Sequence, residues 1–116
     1  MKAKISEMLL AVSRDYIALG EDLEHKRQLL FGAVSAWNIA CLPEQQRERA
    51  LKKFMMAYRQ ANPTQTPQDY ADVEEDMRQL VERKSATFPE VCSQIINADL
   101  REEGGELQVT VASVRV

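Results

Sequence analysis

One histidine, two cysteines, four glycines, four prolines and a single tryptophan stand among 116 residues. Each scarcity excludes something. One His with two Cys is too few for a zinc site built mainly from those residues within one chain. Four Gly and four Pro are too few for a loop-rich β-sandwich, a linker or a collagen-like chain. A basic excess is missing too. Fifteen Lys and Arg against eighteen Asp and Glu leave a formal charge of −3, so no general character points to DNA or RNA. No apolar run approaches the roughly 18 residues of a membrane-crossing helix. Lys2 and Lys4 ahead of the apolar residues Met8 to Val12 imitate a secretory signal, but that stretch is short and Arg14 and Asp15 interrupt it. There is no G-x-S-x-G elbow, no Cys paired with a His and no glycine-rich phosphate loop. No cofactor is expected.

What is present is an ordinary single-domain composition, 45% hydrophobic and 28% charged. Ile5, Met8, Leu9, Val12, Tyr16 and Leu19 recur at helical spacing and predict one amphipathic helix over residues 3–19, ended by Gly20. A second helix is expected from Glu21 or Asp22 to Leu42. Its apolar residues spread over most sides, with Leu30, Val34, Trp37 and Cys41 on one face and Ala33, Ala36 and Ala40 beside them, which marks a central helix. Pro43 suits the first turn of a third helix, whose stripe is Leu51, Phe54, Met55 and Tyr58. Residues 62–67 are a loop by composition, and a fourth helix starts near Pro67 with Tyr70, Val73, Met77, Leu80 and Val81 facing in. The residue before Pro89 avoids helical angles, so a fifth, shorter helix is expected from about Pro89 to Glu102, with Val91, Cys92, Ile95 and Ile96 inward. The expectation is an all-α fold: a five-helix antiparallel bundle over residues 1–103 and a short C-terminal β tail over 104–116.

The tail carries the functional expectation. After Gly104 and Gly105 the period changes, and Leu107, Val109 and Val111 alternate with Glu106, Gln108 and Thr110, as in a half-buried strand. The phase then slips to Ala112, Val114 and Val116, which a bulge at Val111–Ala112 would produce. A lone strand is not stable, and no second strand-like run is evident elsewhere. The tail can stay frayed, lie in a groove between helices or pair with another chain; in the third case, the one carried forward, Leu107, Val109, Val111, Val114 and Val116 bind a partner, either a second copy in a two-fold antiparallel ribbon or another protein's sheet edge.

Other constellations are weaker. Arg49, Lys52, Lys53 and Arg59 lie opposite the apolar stripe of helix three; they fit a solvated face, and no interleaved aromatics support a nucleic-acid surface. Asp72 and Glu75 on helix four, with Glu21 and Glu24 at the start of helix two, form two acidic pairs that suggest an alternative: a Mg²⁺-dependent all-α nucleotide hydrolase. His25 has acidic neighbours at the spacing of half a di-metal motif, but no second His completes it. Asn38, beside the core anchor Trp37 in a nearly apolar helix, needs hydrogen-bond partners, in a loop contact or in a ligand pocket. Cys41 and Cys92 are expected as reduced thiols in a cytoplasmic protein. Taken together, these residues suggest a small cytoplasmic interaction or regulatory protein without catalytic activity, homodimeric, with no membrane and no nucleic acid among its partners.

Overall fold

The structure is a computed structural model that describes residues 4–115. It contains four helices, α1 (Ile5–Ile17), α2 (Leu23–Ala40), α3 (Glu44–Ala61) and α4 (Pro67–Thr87), followed by two strands, β1 (Ser93–Glu103) and β2 (Glu106–Arg115). None of the helices is long and apolar enough to cross a membrane.

The helix boundaries follow local chemistry. Asp22 caps α2, its carboxylate accepting the His25 N–H at 2.8 Å, while His25 Nδ1 accepts the Glu21 N–H at 3.1 Å. The histidine is thus a fastener of the α1–α2 turn. That turn is tight: a Cβ on Gly20 would stand 2.6 Å from Lys26 Cγ and 2.8 Å from Lys26 N. Pro43 occupies the cap position of α3, one residue ahead of the first turn. Thr66 and Asp69 form a reciprocal capping box on α4, with Pro67 in its first turn.

As its many-sided apolar pattern implies, α2 is central: it packs against α1, α3, α4 and β1. Leu30, Ala33, Ala36, Trp37 and Ile39 of α2 are buried together with Leu9 and Ile17 of α1, Met55 of α3, Met77 and Leu80 of α4 and Leu100 of β1. The small residues of α2 admit close neighbours; Gly32, for example, faces the Tyr16 hydroxyl. Leu19, assigned to the α1 stripe from its spacing, lies beyond the end of that helix and is 71% exposed.

The five-helix, all-α expectation is overturned in the last quarter of the chain. Of the expected fifth helix, residues 89–92 are turn and connector and residues 93–102 belong to β1, which pairs antiparallel with β2 from Ser93↔Arg115 to Glu103↔Glu106. Gly104 and Gly105 form the two-residue loop, with φ of +57° and +81°. Two positive φ values are what a type I′ turn requires, and its twist matches that of the flanking strands. The turn therefore joins two strands of one hairpin and does not separate a bundle from a tail. The expected slip in the alternation of β2 is also absent. The register shifts on β1 instead, between Ile95 and Asn97, leaving Ile96 as the extra residue. The phase of β2 is accordingly continuous: Leu107, Val109 and Val111 are half-buried against the helices, while Ala112 and Val114 are exposed.

Physical reasons for the switch are visible. Ala98, Leu100, Arg101, Glu102 and Glu103 are good helix formers, but propensity is a weak prior that tertiary pairing overrides. A I′ turn next to the Val- and Thr-rich β2 supplies that pairing, and Leu100, buried, and Ala98, half-buried, then lie on the apolar face.

The turn generates a sharp expectation. Gly105→Ala places a Cβ in a left-handed conformation and should destabilise the fold by about 1–2 kcal/mol in urea titration. Gly104→Asn, which keeps the Asn-Gly pattern of I′ turns, should cost far less. Equal losses for the two would contradict the turn assignment.

Candidate functional site

A two-stranded sheet has two free edges, and here they are treated differently. The outer edge of β1 lies along α2. Trp37 Nε1 donates to the Ser93 carbonyl at 2.9 Å. The Asn38 amide makes both bonds a strand neighbour would make: Nδ2 donates to the Ile95 carbonyl at 2.9 Å, and Oδ1 accepts the Ile95 N–H at 2.7 Å. Further along, an Arg27 guanidinium nitrogen donates to the Leu100 carbonyl at 3.4 Å, and the Leu100 N–H bonds the Asp99 carboxylate at 2.9 Å. Lys26 Nζ reaches Glu102 at 2.6 Å. Asn38 is thus a pin between helix and strand, satisfying a polar requirement evident from its sequence position.

The same bonds fix the orientation of β2. In an antiparallel pair, opposite residues exchange both backbone hydrogen bonds or neither. Ile95 and Leu100 direct theirs away from β2, so their opposites, Ser113 and Val109, direct theirs away from β1. Val111 and Leu107 share that phase. Among the described residues, these outward groups of β2 have no hydrogen-bond partner. Between Glu106 and Arg115 the strand LQVTVASV carries no charge and no proline. Proteins usually blunt such an edge with a lysine, a proline or a bulge. None of these devices interrupts β2, and its half-buried Leu107, Val109 and Val111 leave an incompletely covered apolar row beside the edge.

Of the residues expected to meet a partner, Leu107, Val109 and Val111 therefore sit together on this open edge. Val114 is displaced to the opposite face of the sheet, 47% exposed and paired with Gln94. Val116 lies outside the described residues. The expectation of an orphan strand was incorrect, because β1 is its mate; the unpaired feature is an edge of that pair.

The two acidic pairs are not brought into one site. Glu24 is exposed and reaches Arg27 at 4.0 Å, Asp72 accepts from Gln68 at 2.8 Å, and Glu75 accepts from Gln79 at 3.3 Å. Glu21 contributes its backbone N–H to His25. Among the described residues, no three His, Cys, Asp or Glu side chains are placed to hold a metal ion. Asp76 of α4 instead lines a cavity of about 190 Å³ with Asp15, Tyr16 and Arg83 between α1 and α4. Burial, and then the carboxylates Asp72 and Glu75, raise its pKa; burial and Asp76 in turn push the Tyr16 hydroxyl up to about 12. The basic residues Arg49, Lys52, Lys53 and Arg59 are all exposed along α3, and Arg59 lies over the Tyr70 ring at 5.5 Å.

Two features escaped sequence reasoning. Lys84 of α4, charged and expected outside, is 2% exposed; its ammonium donates to the Val91 carbonyl and lies 5.2 Å from the centre of the Trp37 ring. Its position four residues after Leu80 and seven after Met77, on their helical face, was the available signal. The second is an apolar cleft of about 190 Å³ between α2 and β1, where Phe31 and Ile96 are 72% and 65% exposed.

No protein-family profile, no curated protein and no solved structure matches this chain significantly.

Two outcomes are expected. Asn38→Leu strands the N–H and C=O of Ile95 and should cost about 2–4 kcal/mol by denaturant unfolding. Asp76→Asn should raise the Tm at pH 7, because a carboxyl with a raised folded-state pKa opposes folding when ionised. That advantage should close as the pH falls through the raised value toward the ordinary 3.8, and a Tm difference independent of pH would contradict it.

Proposed function

We propose that this is a small, non-catalytic interaction protein that works as a homodimer, two copies joining their β2 edges into a four-stranded antiparallel sheet, β1–β2–β2–β1. The observation that carries the reading is the unequal treatment of the two edges. One edge is occupied by Trp37, Asn38 and Arg27; the other presents outward backbone groups at Leu107, Val109, Val111 and Ser113 with no partner among the described residues. A two-fold antiparallel pairing is isologous, so one uncharged edge serves as both donor and acceptor surface. It would also bring the two half-covered rows of Leu107, Val109 and Val111 side by side and remove an aggregation-prone edge from water. The Phe31–Ile96 cleft stays open in such a dimer and supplies an apolar surface for a further protein. A reducing, cytoplasmic setting fits the two free thiols.

Light scattering after gel filtration should return twice the chain mass. The discriminating variant is Val109→Pro. It deletes an N–H that points away from β1, so the hairpin ladder is kept while the outer pairing is lost. The mass of this variant should halve, with its circular dichroism close to that of the parent and a cooperative melt whose Tm is lowered only by the lost association. A parent that is monomeric at about 0.1 mM, or a dimer untouched by Val109→Pro, contradicts the proposal.

A further inference from the structure

The segment that links α4 to β1 gathers the two cysteines and the buried lysine. Cys41 Sγ lies 3.7 Å from the Val91 carbonyl oxygen and 3.7 Å from that of Ser93, the two carbonyls that bracket Cys92. A carbonyl oxygen sits about 2.8 Å from the next Cα across a trans peptide, so Cys41 Sγ is within about 6.5 Å of the Cys92 Cα. Cys92 is exposed and Cys41 half-buried. The Lys84 ammonium donates to the same Val91 carbonyl, placing a fixed positive charge at the thiol pair. Trp37 and Asn38 already tie this segment to α2 by hydrogen bonds.

We propose that Cys41 and Cys92 are a redox modification site, closing an intramolecular disulfide on exposure to a hydroperoxide. The exposed Cys92 thiolate attacks the peroxide oxygen; an S–O bond forms, the O–O bond breaks, and water or an alcohol leaves. Cys41 sulfur then attacks the Cys92 sulfenic acid; the S–S bond forms, the S–O bond breaks, and water leaves with the thiol proton. Two thiols and one hydroperoxide give one disulfide, one water and one alcohol (a second water when the oxidant is hydrogen peroxide). The order follows from access: Cys92 meets solvent, whereas burial pushes the Cys41 thiol up, an effect the Lys84 charge partly offsets. The bond adds a covalent tie to the α2–β1 seam and closes a loop of about 50 residues, which restricts the unfolded chain. Reduction by a thiol reverses it.

The test is one equivalent of hydrogen peroxide added to the full chain, followed by intact mass, alkylation of free thiols and a thermal melt. The expected product has lost two hydrogens, alkylates at neither cysteine, yields a linked peptide pair containing Cys41 and Cys92, and melts about 5–15 °C higher. Dithiothreitol restores both thiols. The closing step should accelerate about tenfold per pH unit below the Cys41 pKa, because the thiolate is the attacking form. Cys41→Ser, a near-isosteric change whose fold is checked by its melt, should instead gain oxygen at Cys92 or cross-link between chains. The proposal is overturned if the parent gains oxygen as Cys41→Ser does, if both thiols remain alkylatable, or if the only disulfide formed is between chains.

Discussion

One side chain determines how the two parts of this molecule meet. The Asn38 amide takes both backbone hydrogen bonds of Ile95 at 2.9 and 2.7 Å, as the next strand in a sheet would. Hydrogen bonds left unmade in such a seam cost more than made bonds contribute, so an amide that satisfies a donor and an acceptor together fixes both the height and the rotation of β1 against α2. The register of the hairpin then follows. Ile95 is committed to Asn38, Ile96 becomes the extra residue, and Ala98 and Leu100 return to the apolar face. Trp37, one residue earlier on the helix, secures the same segment through Ser93 and fills the space between α4 and the hairpin, with Phe88 and Lys84 against its ring.

The helical layer makes that seam possible. α2 can serve α1, α3, α4 and β1 because its sequence is apolar on most sides and small where neighbours approach. α3 and α4 are bound to each other at their surface by the bidentate Arg78–Glu48 pair at 2.8 Å, which holds the Glu48 carboxyl below its ordinary pKa. Such an exposed pair contributes little stability, and the apolar burial of Met55, Met77 and Leu80 carries more of that contact.

The first four helices and their order were legible because periodicity, Gly20, Pro43 and Pro67 are local signals. The hairpin was half legible. β2 announced itself through β-branched alternation, whereas β1 hid behind Leu100, Arg101, Glu102 and Glu103, which suit a helix, and behind the phase slip at Ile96. The Gly104–Gly105 pair was the evidence for a mate: a two-residue Gly-Gly loop joins two strands, and the alternation of Asn97, Ala98, Asp99 and Leu100 was present ahead of it. Edge direction was not legible, since it depends on which of the two strands meets α2. Lys84 was missed because charge is normally a sign of exposure; its four aliphatic carbons suit the apolar face, and the Val91 carbonyl and the Trp37 ring meet its ammonium.

The proposed dimer requires a sealed β1 edge and a pairing β2 edge. Amide hydrogen exchange of β2, followed against protein concentration, tests it most directly. Such a dimer should show slow exchange for the outward amides of Val109 and Val111 at high concentration, loss of that protection on dilution, and concentration-independent protection for Gln108 and Thr110, which face β1. Fast exchange of Val109 and Val111 at every concentration, beside protected Gln108 and Thr110, would contradict it.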